Sequence, residues 1–199
     1  MYIGRIVAIG CSGEIPFAGY RVSSRSFPNR IAEIKDDVVL IVPKDIADLL
    51  QNPYISYNCI KIVGDVAVAS NGSHTDPIAE KIQLGYPPRD ALALGLLTMD
   101  YEKDSYNTPR IAGVVDVSAD KGYLGIIKSD GLTVREFKLK KDDAQFVATY
   151  EQTDFKPLRV KGATAGEIAR SMYGLDFEHP VCTAAAVWDG EFKMGVYNG

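Results

Sequence analysis

The order of apolar and polar positions along the chain reads as strands first, then helices, then strands again. Residues 2–9 and 16–23 read as paired strands about a Cys11-Ser12-Gly13-Glu14 turn, and 30–35 with 38–42 as a second pair turned by Asp36-Asp37. Residues 43–51 carry a proline suited to a first helical turn and apolar positions at helical spacing, which predicts a short helix. Strands over 57–63 and 65–70 follow, separated at Gly64-Asp65. Two helices come next, one from Pro77 to about Leu84 with Asp76 as its cap, and a longer one from Pro87-Pro88 to about Tyr101. In the longer helix Ala91, Leu92, Leu94, Gly95, Leu96 and Met99 are apolar on most sides, which predicts burial. Strands resume at 110–117, 122–128, 132–139 and 144–150; a helix over 164–173 ends at Gly174; a last hairpin pairs 181–188 with 191–197 about Asp189-Gly190. The expected class is α+β, with two sheets packed together and covered by helices.

No repeat, low-complexity stretch or linker divides the 199 residues, so one domain is expected over 1–199. A net charge of −4 argues against general affinity for a nucleic-acid backbone, which needs many unopposed cations. The three cysteines, Cys11, Cys59 and Cys182, form an odd set without CxxC spacing. Neither a disulfide framework nor a zinc site is expected, and a reduced cytosolic setting fits better. Near the N-terminus only Ile6–Ile9 form a continuous apolar run, too short for a signal or a membrane span, which again points to a cytoplasmic protein.

Four polar stretches stand out. In the first, Arg21, Arg25 and Arg30 fall within ten residues, interleaved with Ser23, Ser24, Ser26 and Asn29 and with no acid between them. Guanidinium forks with hydroxyls and an amide suit a phosphate; surface arginines on a strand-to-loop connection are the alternative. In the second, Tyr54 and Tyr57 flank a short run entering a strand, where Tyr57 either packs or donates to developing oxygen charge. The third, Ser70-Asn71-Gly72-Ser73-His74-Thr75-Asp76, is a polar turn before a helix. His74 is one of only two histidines, so no metal site is expected around it. In the fourth an apolar helix runs into Asp100, Glu102, Lys103 and Asp104, then Asn107 and Arg110, which is either a solvated helix end or a site.

The strings MYIGRIVAIG, YRVSSRSFPNR, NPYISYNCIKIVGD, SNGSHTD and MDYEKDSYNTPRIA, in that order, resemble the archaeal-type IMP cyclohydrolase family. The match is dense to about residue 115 and looser afterwards, with the chain length agreeing to the end. The resemblance implies a four-layer αββα sandwich similar to the N-terminal-nucleophile hydrolases. It also implies dehydrative closure of 5-formamidoimidazole-4-carboxamide ribonucleotide to inosine monophosphate in purine biosynthesis. The chain begins Met1-Tyr2, so the exposed nucleophile of that superfamily is not expected. The implied partner is a small purine nucleotide, with a homo-oligomer expected and no nucleic acid, membrane, metal or organic cofactor.

Ring closure asks for a group to draw a proton from the carboxamide nitrogen, a donor for the oxygen of the adduct, and an acid for the departing hydroxyl. On the motif positions, Glu102 is assigned proton transfer near the carboxamide. Tyr57 is assigned donation to the formyl oxygen, with Lys103 or Arg30 adding positive charge. Arg21 with Ser23, Ser24 or Arg25 is expected to hold the 5′-phosphate, and Asn29 and Asn71 to meet base or ribose. Two other readings remain open: an amidohydrolase with an uncovered N-terminal nucleophile, and a purine-nucleotide-binding module without catalysis.

Overall fold

The computed structural model describes residues 1–51 and 53–199; Asn52, the first residue of the NPYISYNC string, lies outside them. The chain opens with β1 (Ile6–Ser12) and β2 (Ile15–Ser23), turned at Gly13, whose φ of 59° suits glycine. β1 starts at Ile6 because the residues before it are tied to another segment: the Tyr150 amide donates to the Ile3 carbonyl and the Thr149 amide to that of Arg5. β3 (Arg30–Lys35) and β4 (Val38–Pro43) form the second hairpin. The helix expected over 43–51 shrinks to α1 (Asp48–Gln51). Pro43 is held in the ladder opposite Arg30, and the Asp45 carboxylate accepts the Ala47 amide, a local turn that competes with helix.

β5 (Tyr57–Val63) and β6 (Val66–Ser70) lead into α2 (Thr75–Gln83) and α3 (Pro88–Met99). Asp76 does not cap α2. It lies inside the first turn, where its carboxylate accepts from Asn58 and Lys61 of β5. α3 buries Ala91, Leu92, Gly95 and Leu96 but leaves Leu97 61% exposed and Leu94 exposed beside it, so it is not apolar-packed all round. Close packing needs Gly125 on the strand below, where a Cβ would come within 2.6 Å of Leu96.

The remaining strands are β7 (Arg110–Asp116), β8 (Lys121–Lys128), β9 (Gly131–Lys138), β10 (Ala144–Ala148) and a short β11 (Lys156–Leu158) that the sequence pattern does not announce. α4 (Ala165–Tyr173) begins with a reciprocal capping box between Thr164 and Glu167. β12 (Pro180–Trp188) and β13 (Phe192–Asn198) close the chain as a hairpin.

Every ladder is antiparallel. One sheet runs β11-β10-β1-β2-β12-β13 and the other β3-β4-β5-β6-β7-β8-β9, giving a mixed α+β architecture. The largest core lies between the sheets and includes Val7, Ile9, Tyr20, Val22, Ile41, Cys59, Ile111 and Leu124. A second core joins the first sheet to α4 through Phe17, Ile168 and Met172, and a third joins the other sheet to α2 and α3 through Val68, Ile78, Leu92 and Leu96. Among the described residues no helix is long and apolar enough to cross a membrane.

Candidate active site

Strand periodicity decides which polar groups enter the space between the sheets. Successive residues of β2 point to opposite faces, so Tyr20 turns inward with Ala18 and Val22, while Arg21 turns outward under α4. The Tyr20 hydroxyl lies 2.6 Å from that of Tyr57, the first residue of β5 on the facing sheet. Both rings are buried, and burial raises both phenol pKa values, with Arg30 and Arg5 opposing the shift. The pair is therefore protonated at neutral pH and able to donate.

Glu102 follows α3 by a short turn. Asp100 takes φ 55° and ends the helix, and the Glu102 amide donates to the Thr108 carbonyl at 2.9 Å. Its buried carboxylate lies 3.6 Å from Nη2 of Arg5 and 3.9 Å from Nη1 of Arg110. Burial raises the Glu102 pKa above the ordinary carboxylate value even though both arginines pull it down. Burial also works against the Arg5 charge, but Glu102 and the neighbouring phenols outweigh it and hold Arg5 cationic. Nε of Arg110 and Nε of Arg5 are buried without a hydrogen-bond partner among the described residues.

Tyr57, Glu102, Arg110, Gly72 and Ser73 line one small cavity of about 30 Å³ together with Tyr54 and Ser56. That is room for a water or a formyl-sized group, not for a nucleotide. A larger cavity, about 550 Å³, is lined by Tyr2, Arg25, Ser26, Tyr106 and Tyr150, among others. The Tyr150 hydroxyl meets Thr108 Oγ1 at 2.8 Å, and the Thr108 carbonyl is the acceptor of the Glu102 amide.

Of the residues expected from sequence, the structure brings Tyr57 and Glu102 to one cavity and sets Arg30 near Tyr57. Arg30 is buried, donates to the Phe27 carbonyl, and acts electrostatically on both tyrosines. Lys103 is not part of the cluster: it is exposed, paired with Asp100 and stacked over the Tyr101 ring. Arg21 is fully buried on the other face of its sheet, donating to Ser23 Oγ and to the carbonyls of Met172, Leu175 and Phe177. Ser23 is thus occupied by Arg21, and Ser24 Oγ accepts the Phe27 amide. Arg25 is exposed at the larger cavity, paired with Glu178 and stacked on Tyr2. Asn29 is exposed. Asn71 is buried with both amide ends used, donating to the Pro109 carbonyl and accepting the Ile111 amide.

Sequence reasoning gives no role to three members of the cluster, although Arg110 is named in the fourth polar stretch. Arg5 had a signal, a lone cation beside an unbroken apolar run. Tyr20 and Arg110 sat inside quoted strings, but only register shows which way they face.

Comparisons with known proteins identify the family. Residues 2–192 match the family model described as IMP cyclohydrolase-like protein. A protein of Methanocella arvoryzae named IMP cyclohydrolase is 58% identical over the whole chain and 99% of its own length. Similar proteins with that name from Methanothrix thermoacetophila and Methanococcus maripaludis are 53% and 48% identical, covering 100% and 98% of this chain and 99% and 98% of their own. With a family match across nearly its whole length and relatives this similar, the chain belongs to the IMP cyclohydrolase family.

Proposed function

We propose that the chain closes the pyrimidine ring of inosine monophosphate at the cavity shared by Tyr57 and Glu102. The observation that carries this reading is a buried carboxylate and a buried, protonated phenol lining one formyl-sized space with cations behind them. The carboxamide nitrogen of 5-formamidoimidazole-4-carboxamide ribonucleotide attacks the neighbouring formyl carbon. Glu102 takes the proton leaving that nitrogen, and the Tyr57 hydroxyl gives its proton to the formyl oxygen as the tetrahedral adduct forms. Tyr20, donating to Tyr57 from behind, leaves the Tyr57 hydrogen free to face the cavity and eases the phenolate that results. Glu102 then returns its proton to the departing hydroxyl, and the former formamide N–H reprotonates Tyr57 as the C=N bond closes. Arg5, Arg30 and Arg110 lower the energy of the negative charge passing through the cluster. The balance is one water lost, with no oxidant or reductant.

The larger cavity, with Arg25 and Ser26 on its wall, supports a place for the ribose phosphate. Two facing sheets with α4 outside one and α2 with α3 outside the other support the four-layer αββα sandwich of the N-terminal-nucleophile hydrolases, formed as one domain over 1–199 without a processed nucleophile. Leu94 and Leu97 exposed on α3, with Leu84 and Tyr86 just before it, support a homo-oligomer.

The test is turnover of the formyl precursor, read at the inosine chromophore against a no-protein control. Glu102→Gln should lower kcat by at least about a hundredfold, and Tyr57→Phe by roughly ten- to a hundredfold, with inosine monophosphate affinity little changed. Wild-type activity should fall on acidification through a pKa above the ordinary carboxylate range, because only the ionised Glu102 accepts a proton. Full activity of Glu102→Gln would refute its role.

A further inference from the structure

The polar turn between β6 and α2 gives Gly72 and Ser73 to the wall of the small cavity, and behind them it is built tightly around Arg110. His74 is fully buried there. Its Nε2 lies 2.9 Å from the Ile111 carbonyl, which only accepts, so Nε2 carries the hydrogen. Its Nδ1 lies 3.4 Å from Nη1 of Arg110, which only donates, so Nδ1 carries the lone pair. Each nitrogen is thus constrained separately, and the ring is a neutral imidazole in one tautomer. Burial drives its pKa down to about 3, in keeping with that assignment.

The surroundings leave Arg110 little freedom. Asn71 holds the backbone on both sides of it, at Pro109 and Ile111. Gly72 lies against the guanidinium so closely that a Cβ would stand 2.5 Å from Nη1 and 3.2 Å from Nδ1 of His74. The same Nη1 is the atom that faces the Glu102 carboxylate at 3.9 Å.

We infer that His74 is a positioning residue for ring closure: its neutral Nδ1 accepts from Arg110 and holds the guanidinium in register with Glu102. The inference rests on the proposed role of Glu102. It differs from a purely structural histidine, which would only prop the Ile111 carbonyl. The charged groups facing His74 are Arg110 and Arg5, and those facing Glu102 are Arg5, Arg110 and Asp104. Loosening Arg110 removes a cation from Glu102, so its pKa should rise further.

Two isosteres separate the two functions of the ring. His74→Gln places an amide N–H near the position of Nε2, keeping the prop and losing the acceptor. His74→Asn places its carbonyl oxygen near Nδ1, keeping the acceptor for Arg110. His74→Gln should lower kcat roughly ten- to a hundredfold with KM nearly unchanged, and shift the acid limb of kcat/KM to higher pH. His74→Asn should recover part of kcat and return the acid limb toward wild type. Gly72→Ala reaches the same contact with the histidine intact, and should reproduce the kcat loss and the shift even if both His74 variants fold poorly. Wild-type kcat and acid limb in a folded His74→Gln or in Gly72→Ala would overturn the inference. If the wild type cyclises and Glu102→Gln does not, that outcome leaves the proposed function standing; an inactive wild type would instead remove the function itself.

Discussion

Arg21 shows how far one residue's role depends on the face it occupies. In the sequence it is the first of three arginines that suit a phosphate, and its neighbour Tyr20 draws no notice. In β2 the two must point oppositely, and the inward place goes to the tyrosine. Arg21 instead donates hydrogen bonds to three backbone carbonyls at the end of α4 and beyond, where burial lowers its pKa to about 10. Charge-assisted hydrogen bonds contribute about 1.5–3 kcal/mol each, and unpaired buried carbonyls are costly. Arg21→Ala should therefore lower unfolding free energy by roughly 3 kcal/mol or more, read by denaturant melts, while the folded fraction binds inosine monophosphate as wild type does. A stable variant with weakened nucleotide affinity would return Arg21 to the phosphate. Glu102 and Tyr57 are singled out through strings that resemble a family, whereas Arg5 meets Glu102, and Arg110 meets His74, only across segments far apart in sequence.

At the scale of elements, local chemistry accounts for most of what the pattern predicts and for where it fails. The hairpins at Gly13 and Gly190 carry their turn residues openly, and both glycines take positive φ. Residues 43–51 have helical spacing, but Pro43 serves the sheet and Asp45 makes a turn, so the helix starts late. β11 is only three residues, Lys156–Leu158, too short to show alternation. α4 is the clearest helix: Thr164 Oγ1 accepts the Glu167 amide, and the Glu167 carboxylate accepts the amides of Ala163 and Thr164. Those bonds lower the Glu167 pKa. α4 packs onto the first sheet through Ile168, Ala169 and Met172 and supplies the Met172 carbonyl to Arg21, so fraying its start reaches the core. Thr164→Ala should cost about 1 kcal/mol of stability, measured by thermal or denaturant unfolding, with kcat unchanged because α4 packs on the opposite face of the first sheet from Tyr20.

At the scale of the molecule, what no local pattern supplies is strand order. β1 pairs with β10 on one side and β2 on the other, and β2 pairs with β12, so the first hairpin becomes the centre of a sheet whose other strands arrive late in the chain. That order also bears on the competing amidohydrolase reading. Uncovering Cys11 as a terminal nucleophile would delete Ile6–Gly10, a stretch paired along its length to both β2 and β10. Cys11 is held in the ladder region, with its amide donating to the Asp143 carbonyl, and burial raises its thiol pKa to about 11. Cys59 and Cys182 lie in the core between the sheets; burial raises both thiol pKa values, that of Cys182 to about 12. Thiolate is the reactive form, so none of the three should react quickly while the sheets stay packed. Active protein should keep Ile6–Gly10 in its intact mass. A disulfide reagent should label its thiols only at the rate of unfolding and reach all three in denaturant. A fast-reacting thiol in cyclising protein would mean that the inter-sheet core opens in the native state. A terminal Cys11 in the active species would mean that the cleft works by a covalent route rather than through Tyr57 and Glu102.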